Sequence, residues 1–352
     1  MNYDLFTPIK LGDLSLDNRI IMAPLTRCRA DDKRVPNALM KTYYEQRASA
    51  GLIVTEATSV SPMGVGYPNT PGIWNQEQIA GWQKITEAVH TKGGKIFLQL
   101  WHVGRISDPI YLGGQKPWAP SAIKPAGHPS LLRPIRDFVT PRAMTEAQIK
   151  QTIAEFRQAA INAKSAGFDG VEIHGANGYL LDQFLQDSTN QRDDDYGGSR
   201  ENRARFMLEV TDVVCDVWGS NRVGMHLAPR CDAHDMGDSD AKATFSHIAS
   251  ELGKRNLAFI FARANLGEDG LHSDLKQIFG GAYIINQQLS KSEAEREIKA
   301  GNADAAGWGQ LFIANPDLVE RFRKGATRNV PDSTTFYTGD DRGYIDYPFM
   351  KL

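Results

Sequence analysis

The sequence predicts one (β/α)8 barrel, a TIM barrel spanning residues 1–352, and three observations carry that expectation. Short runs rich in β-branched residues recur eight times along the chain, and longer stretches of helical period separate them. No linker or low-complexity tract divides the chain. An open parallel sheet of eight strands would leave two unpaired edges. Closure removes them, and right-handed βαβ crossovers then place every helix outside. Length alone permits two domains, but α/β barrels routinely reach this size as one.

Residues 6–10 and 15–20, separated by Leu11, Gly12 and Asp13, read as a β-hairpin ahead of the barrel, placed to cap its floor. Barrel strands are expected at 19–24, 52–57, 96–101, 170–175, 222–227, 257–262, 282–286 and 304–309. Helical segments are expected at 36–50, 75–92, 145–166, 200–217, 240–255, 290–300 and 316–324. Residues 105–141 are rich in Pro and Gly and lack a clear period, so they form a long loop after strand 3 that crosses the barrel mouth.

With 41% hydrophobic and 23% charged residues, the chain has the composition of a soluble globular protein. A net charge of -2 offers no basic face for nucleic acid or anionic lipid, which leaves a small molecule as the expected partner. The N-terminus lacks a basic region followed by an apolar stretch, and no window approaches the roughly 20 apolar residues of a membrane span, so a cytoplasmic location is expected. Cys28, Cys215 and Cys231 are widely spaced, without a CxxC pair, and read as free thiols rather than a disulfide framework or a zinc site.

Barrel enzymes place their chemistry at the C-terminal ends of the strands. The richest such window is Glu172-Ile173-His174-Gly175-Ala176-Asn177-Gly178-Tyr179. His174 and Asn177 both carry N–H donors, and the glycines let the loop turn tightly enough to aim them at one acceptor. Tyr179 adds a hydroxyl that can release a proton. Two donors on a carbonyl oxygen with an acid nearby would polarise an enone and protonate its α-carbon. A polar turn around a buried, satisfied histidine is the competing explanation. No metal is expected, because zinc needs at least three good ligands and Asn177 is a poor one. A serine hydrolase is unsupported, since no GxSxG elbow is present.

The stretch from His174 to Leu185, with Asn190-Gln191-Arg192, Asp195-Tyr196-Gly197-Gly198-Ser199 and Glu201-Asn202-Arg203-Ala204-Arg205, resembles the signature of the old yellow enzymes, the flavin-dependent ene reductases. Met22-Ala23-Pro24-Leu25-Thr26-Arg27, Gln99-Leu100-Trp101-His102-Val103-Gly104-Arg105 and Ile313-Ala314-Asn315-Pro316-Asp317-Leu318 extend the resemblance over nearly the whole chain. It implies that His174 and Asn177 bind a substrate carbonyl or a phenolate and that Tyr179 is the proton donor. It also implies that Pro24, Thr26, Ala57 and Gln99 lie against the flavin ring, with Thr26 and Gln99 bonded to its pyrimidine edge. Trp101 and Tyr67 are candidates for the substrate side, or for aromatic core packing. Members of this family occur as monomers and as dimers, so a monomer or homodimer is expected.

Three positions depart from the family pattern. His226 stands in strand 5 where the family has an arginine at the flavin N1 and O2 edge. At strand 8 the pair is Gly309-Gln310, where the family has Gly-Arg on the FMN phosphate. At strand 7 Gln287 and Gln288 replace small residues that approach that phosphate. Each lost charge-assisted hydrogen bond is worth roughly 1.5 to 3 kcal/mol, so weak or absent FMN is expected. Arg230, Arg263 and a protonated His226 are the cations available to compensate. The segment 261–279 also looks short and altered, and Trp308 is placed either to fill a vacated flavin space, to face a cationic intermediate, or simply to pack.

The function expected on this basis is flavin-independent acid catalysis, an isomerisation or cyclisation of a small carbonyl or enone substrate without a cofactor. The alternative is the family activity, reduction of an activated alkene by FMN and NADH or NADPH. A third reading is a non-catalytic ligand-binding protein.

Overall fold

The computed structural model describes residues 4–229, 233–266, 271–337 and 339–351. A hairpin of β1 (Ile9–Leu11) and β2 (Leu14–Leu16) precedes the barrel, with Ile9 opposite Leu16 and Leu11 opposite Leu14. The expected pairing was longer and put Leu11 in the turn. Gly12 explains the shorter hairpin: its φ of +55° closes a two-residue turn, and a Cβ there would lie 2.0 Å from the Asn221 carbonyl oxygen.

The next elements are β3 (Ile20–Met22), α1 (Ala38–Glu45), β4 (Leu52–Val54), β5 (Thr58–Ser59), α2 (Gln76–Thr91) and β6 (Ile96–Trp101). Then come β7 (Trp118–Ala119), β8 (Arg142–Ala143), α3 (Glu146–Ser165), β9 (Gly170–His174), α4 (Leu180–Leu185), α5 (Arg200–Trp218), β10 (Val223–Leu227) and α6 (Ala241–Lys254). β11 (Phe259–Arg263), α7 (His272–Phe279), β12 (Tyr283–Asn286), α8 (Lys291–Ala300), β13 (Ala305–Trp308), α9 (Gln310–Ala314) and α10 (Leu318–Lys324) complete the order.

The strands β4, β3, β13, β12, β11, β10, β9 and β6 lie side by side, all parallel, and β4 pairs back onto β6 to close the barrel. All eight expected strands are present, most of them shorter than expected. The helices α4, α7 and α9 are short and were not anticipated. Helix starts follow side-chain chemistry: Asn75, Thr145 and Ser290 each accept from the backbone N–H three residues on, and Gln78, Gln148 and Glu293 return the bond. Among the described residues, no helix is long and apolar enough to cross a membrane.

Two apolar layers result. Leu11, Leu14 and Leu16 of the hairpin join Phe97, Phe259, Phe261 and Ile284 inside the barrel, so the hairpin fills the floor as expected. Outward-facing strand residues such as Ile53, Leu98, Ile173 and Met225 pack against the helices. The 105–141 excursion is tied to the barrel by β7, which pairs with β8, and by Arg105, which donates to the carbonyls of Ile123, His234 and Asp235.

Buried polar struts hold the upper rim. Arg47 is fully buried and donates to the carbonyls of Phe312 (2.7 Å), Ile313 (2.7 Å), Tyr43 (2.7 Å) and Tyr344 (3.3 Å), while its guanidinium lies over the Tyr43 ring. Tyr344 stacks on that same ring, so one cation anchors the C-terminal segment to α1 and α9. Asp182 accepts from the Gly178 N–H at 2.8 Å and from Gln186 at 2.7 Å, fixing the loop between β9 and α4.

Two predictions follow from these struts. Arg47→Ala leaves four buried carbonyls without their donor, a loss on the order of 3 kcal/mol. The denaturation midpoint should fall, and limited proteolysis should cut the C-terminal segment first; an unchanged midpoint contradicts the role given to Arg47. Burial pushes the carboxyls of Asp182 and Glu56 up to about 7 each, from ordinary values of 3.8 and 4.5. The folded chain then holds protons that the unfolded chain releases, so this contribution is present in acid and is lost as pH rises through about 7. Asp182→Asn cannot ionise, and the stability gap between it and the native chain should widen in the variant's favour from roughly pH 5 to pH 8. A gap independent of pH contradicts the assignment.

Candidate active site

The C-terminal ends of the barrel strands surround a cavity of about 670 Å³. Strand length sets what lines it: β9 ends at His174 and β11 at Arg263, so both side chains emerge at the mouth. The loop after β9 then doubles back. Asn177 and Gly178 take φ of +57° and +75°, and Tyr179 becomes the cap residue of α4. Those turns bring His174, Asn177 and Tyr179 to one wall of the cavity, as expected from the sequence.

Their donor and acceptor roles can be assigned. Arg263 Nη1 lies 2.9 Å from Asn177 Oδ1, and because a guanidinium only donates, the amide oxygen is held there and the amide NH2 is left for a ligand. His174 is 5% exposed; burial, reinforced by His226, Arg263 and His234, holds its imidazole well below the usual histidine range, so it is a neutral N–H donor at neutral pH. Its Nδ1 has no hydrogen-bond partner among the described residues. The Tyr179 hydroxyl sits 3.0 Å from that of Tyr67, and burial pushes both phenols up, keeping both protonated.

Aromatic rings shape this wall. Trp101 meets Tyr179 edge to face at 5.0 Å, and Tyr67 stacks on Trp101 at 5.6 Å. Tyr67 and Trp101 belong to an apolar cluster with Ala57 and Val103 and also line the cavity. Ser130 and Leu131 of the 105–141 excursion complete the lining, as does Tyr337 near the C-terminus.

The positions that the family resemblance assigns to flavin belong to the same cavity: Pro24, Thr26, Ala57 and Gln99 all line it. Gln99 Nε2 donates to the buried carboxylate of Glu172 at 2.6 Å, and His226 Nδ1 lies 3.4 Å from both groups. His226 Nε2 has no partner among the described residues.

At the far end, Gln287 and Gln288 have φ of +117° and +50°, left-handed conformations that favour glycine. Gln287 does not simply block the space, because its Oε1 accepts from Arg263 Nε at 3.0 Å. Gly309 and Gln310 line the cavity beside this turn. Trp308 lines the cavity and is held in place by packing: its indole N–H donates to the Leu289 carbonyl at 2.9 Å, and its ring meets Phe322 edge on.

Arg263 therefore links the loop after β9 to the turn after β12, bonded to Asn177 on one side and Gln287 on the other. Sequence reasoning named it only as one cation among three. Arg230 and Cys231 lie outside the described residues, as do 267–270 of the altered segment. His234 was missed; it follows β10 and bonds the Asn177 carbonyl at 2.6 Å. Its position just beyond a strand's C-terminal end was the available signal. Among the described residues, no three His, Cys, Asp or Glu side chains converge as a metal site would need.

Residues 4–329 match the NADH:flavin oxidoreductase / NADH oxidase family. The chain is 44% identical to 12-oxophytodienoate reductase 1 of Oryza sativa subsp. japonica, covering 99% of this chain and 93% of that one. It is 43% identical to a probable flavin mononucleotide-dependent alkene reductase of Leishmania infantum, over 97% and 96% of the two chains. Among solved structures, morphinone reductase in complex with tetrahydroNAD superposes with a TM-score of 0.96 at 47% identity, covering 99% of this chain and 98% of that one.

These relatives overturn the expectation of a cofactor-free isomerase or cyclase. That expectation counted cations by their place in the sequence and found two missing; in space, Arg263 enters the cavity from a third strand and bonds Gln287. The chain is an oxidoreductase and belongs to the old yellow enzyme family.

Proposed function

We propose that this chain reduces small α,β-unsaturated carbonyl compounds, using FMN and a nicotinamide cofactor. The observation that carries the reading is that His174, Asn177 and Tyr179 line one cavity together with Thr26 and Gln99.

The residues present fit FMN. His174 Nδ1 and His226 Nε2 are buried polar atoms of cavity-lining side chains, without partners among the described residues. Thr26 and Gln99 would bond the ring edge, Pro24 and Ala57 would pack on its face, and His226 would stand beside it. Gln287, Gln288, Gly309 and Gln310 would surround the phosphate, with Arg263 as its cation. Bound FMN, reduced by NADH or NADPH, supplies the hydride.

The chain's own residues do the rest. His174 and Asn177 donate to the substrate carbonyl oxygen, which gains negative charge as the β-carbon accepts hydride. Donors aimed at that oxygen stabilise the charged state more than the ground state, which is what accelerates the step. Tyr179 gives its proton to the α-carbon. Trp101 and Tyr67 exclude water and hold the alkene against the flavin side.

The direct test is anaerobic turnover with NADPH and 2-cyclohexen-1-one, a simple enone. One saturated ketone should form per NADPH consumed by the FMN-loaded chain; no ketone formation with any of several enones contradicts the reading. Tyr179→Phe should lower turnover by roughly 10²- to 10⁴-fold while phenol binding is retained. Survival of turnover within about threefold removes Tyr179 as the acid.

Cofactor binding has its own test. Arg263→Ala should weaken FMN by roughly 10- to 100-fold, the worth of one charge-assisted hydrogen bond, and leave riboflavin unaffected because it carries no phosphate. Equal losses for both flavins would take Arg263 away from the phosphate.

A further inference from the structure

We propose that Tyr67 and His234 form a proton relay that restores the Tyr179 proton after each turnover. The inference rests on the reading of Tyr179 as the acid and goes beyond it. A phenol that gives its proton to carbon must recover one, and Tyr179 is half-buried among Trp101, His174 and Tyr67, its open side facing the cavity that substrate would fill. Its hydroxyl leads to a second hydroxyl, that of Tyr67 at 3.0 Å, and Tyr67 leads on to His234 Nε2 at 3.5 Å. His234 is half-buried and lines the same cavity beyond Tyr67, so the chain links the reacting hydroxyl to a second partly exposed side chain.

The tautomer gives the chain a direction. His234 Nδ1 lies 2.6 Å from the Asn177 carbonyl oxygen, which can only accept, so Nδ1 carries a hydrogen. Neutral His234 then offers a lone pair at Nε2. Tyr67 donates to it, Tyr179 donates to Tyr67, and the Tyr179 hydrogen points away from substrate. Protonation at Nε2 reverses every bond: the imidazolium donates to Tyr67, Tyr67 donates to Tyr179, and the Tyr179 hydrogen is freed toward the cavity.

The step balances. The α-carbon of the enolate takes the Tyr179 proton, forming a C–H bond as the O–H bond breaks. The Tyr179 oxygen takes the Tyr67 proton, and the Tyr67 oxygen takes the proton on His234 Nε2. Neutral His234 remains, and water returns a proton to Nε2.

Arg105 holds the backbone carbonyl of His234 at 3.1 Å, and Arg263 and His174 are its other basic neighbours. Tyr179 faces its ring at 5.1 Å, Asp235 adjoins it in the chain, and Tyr67 completes the shell. Burial and the two arginines lower its pKa, outweighing the Asn177 carbonyl, so the protonated state fades with rising pH below the usual histidine range.

The test separates protonation from hydride transfer by giving the FMN-loaded protein a ready-made carbanion, the nitronate of nitrocyclohexane, and following its loss of absorbance. The native chain should accelerate protonation, less so as pH rises. His234→Phe and Tyr67→Phe should each slow it by at least about tenfold, a part of what general acid catalysis supplies, and flatten its pH profile. His234→Gln, which keeps an N–H donor but cannot titrate, should also flatten the profile.

Nitrogen NMR of histidine-labelled protein should show neutral His234 with its hydrogen on Nδ1. Native pH profiles in the His234 and Tyr67 variants, or a hydrogen on Nε2 instead, overturn the relay. If Tyr179→Phe itself leaves protonation unchanged, it is the assignment of the acid that fails. If Tyr179→Phe slows protonation and the other variants do not, the relay alone fails.

Discussion

Barrel closure is the constraint on which everything else in this molecule depends. The pairing of β4 onto β6 removes both edges of a parallel sheet, and parallel direction turns the last residue of each strand toward one mouth. Groups far apart in sequence thereby become neighbours: Gln99 of β6, Glu172 of β9 and His226 of β10 share one hydrogen-bonded cluster because their strands are adjacent. Strand length then acts as a positioning device, since ending β9 at His174 or β11 at Arg263 decides which side chain reaches the cavity.

The same geometry explains how the charge on this site can be redistributed without losing it. A cation need not come from the strand that usually supplies it, because several strand ends converge within a side chain's reach. Arg263 reaches Asn177 on one side and Gln287 on the other, linking the loop after β9 to the turn after β12. One residue thus fixes the orientation of the Asn177 amide and brings positive charge to a turn whose residues are otherwise neutral. Along the rim, Arg47, Glu56 and Asp182 are likewise held by backbone and side-chain bonds rather than by water.

Much of the fold was legible because period and turn chemistry are local. All eight strands, the hairpin and the capped helices could be read directly, and His174, Asn177 and Tyr179 could be placed together because one short loop carries them. Short helices such as α4 and α9 were missed, since a few residues cannot display a helical period. What lay beyond reading was any arrangement made by side chains from different strands. Arg263 was visible as a residue and its bonds were not. The expectation of weak or absent FMN followed from that blindness: Arg263 could be named as a compensating cation, but its place beside Gln287 could not be read. His234 was invisible for a related reason, because its importance comes from touching Tyr67 and Asn177, which are 167 and 57 residues away in the chain.

The central claim is that one cavity joins a flavin to two donors on a substrate oxygen, with Arg263 between them. A crystal structure of the FMN-loaded chain with phenol bound tests it most directly. The account predicts a phenol oxygen within hydrogen-bond reach of both His174 and Asn177, above a flavin ring bordered by Thr26 and Gln99, with the phosphate paired to Arg263. Phenol bound elsewhere, or a phosphate left in solvent while Arg263 stays on Asn177 and Gln287, would contradict it.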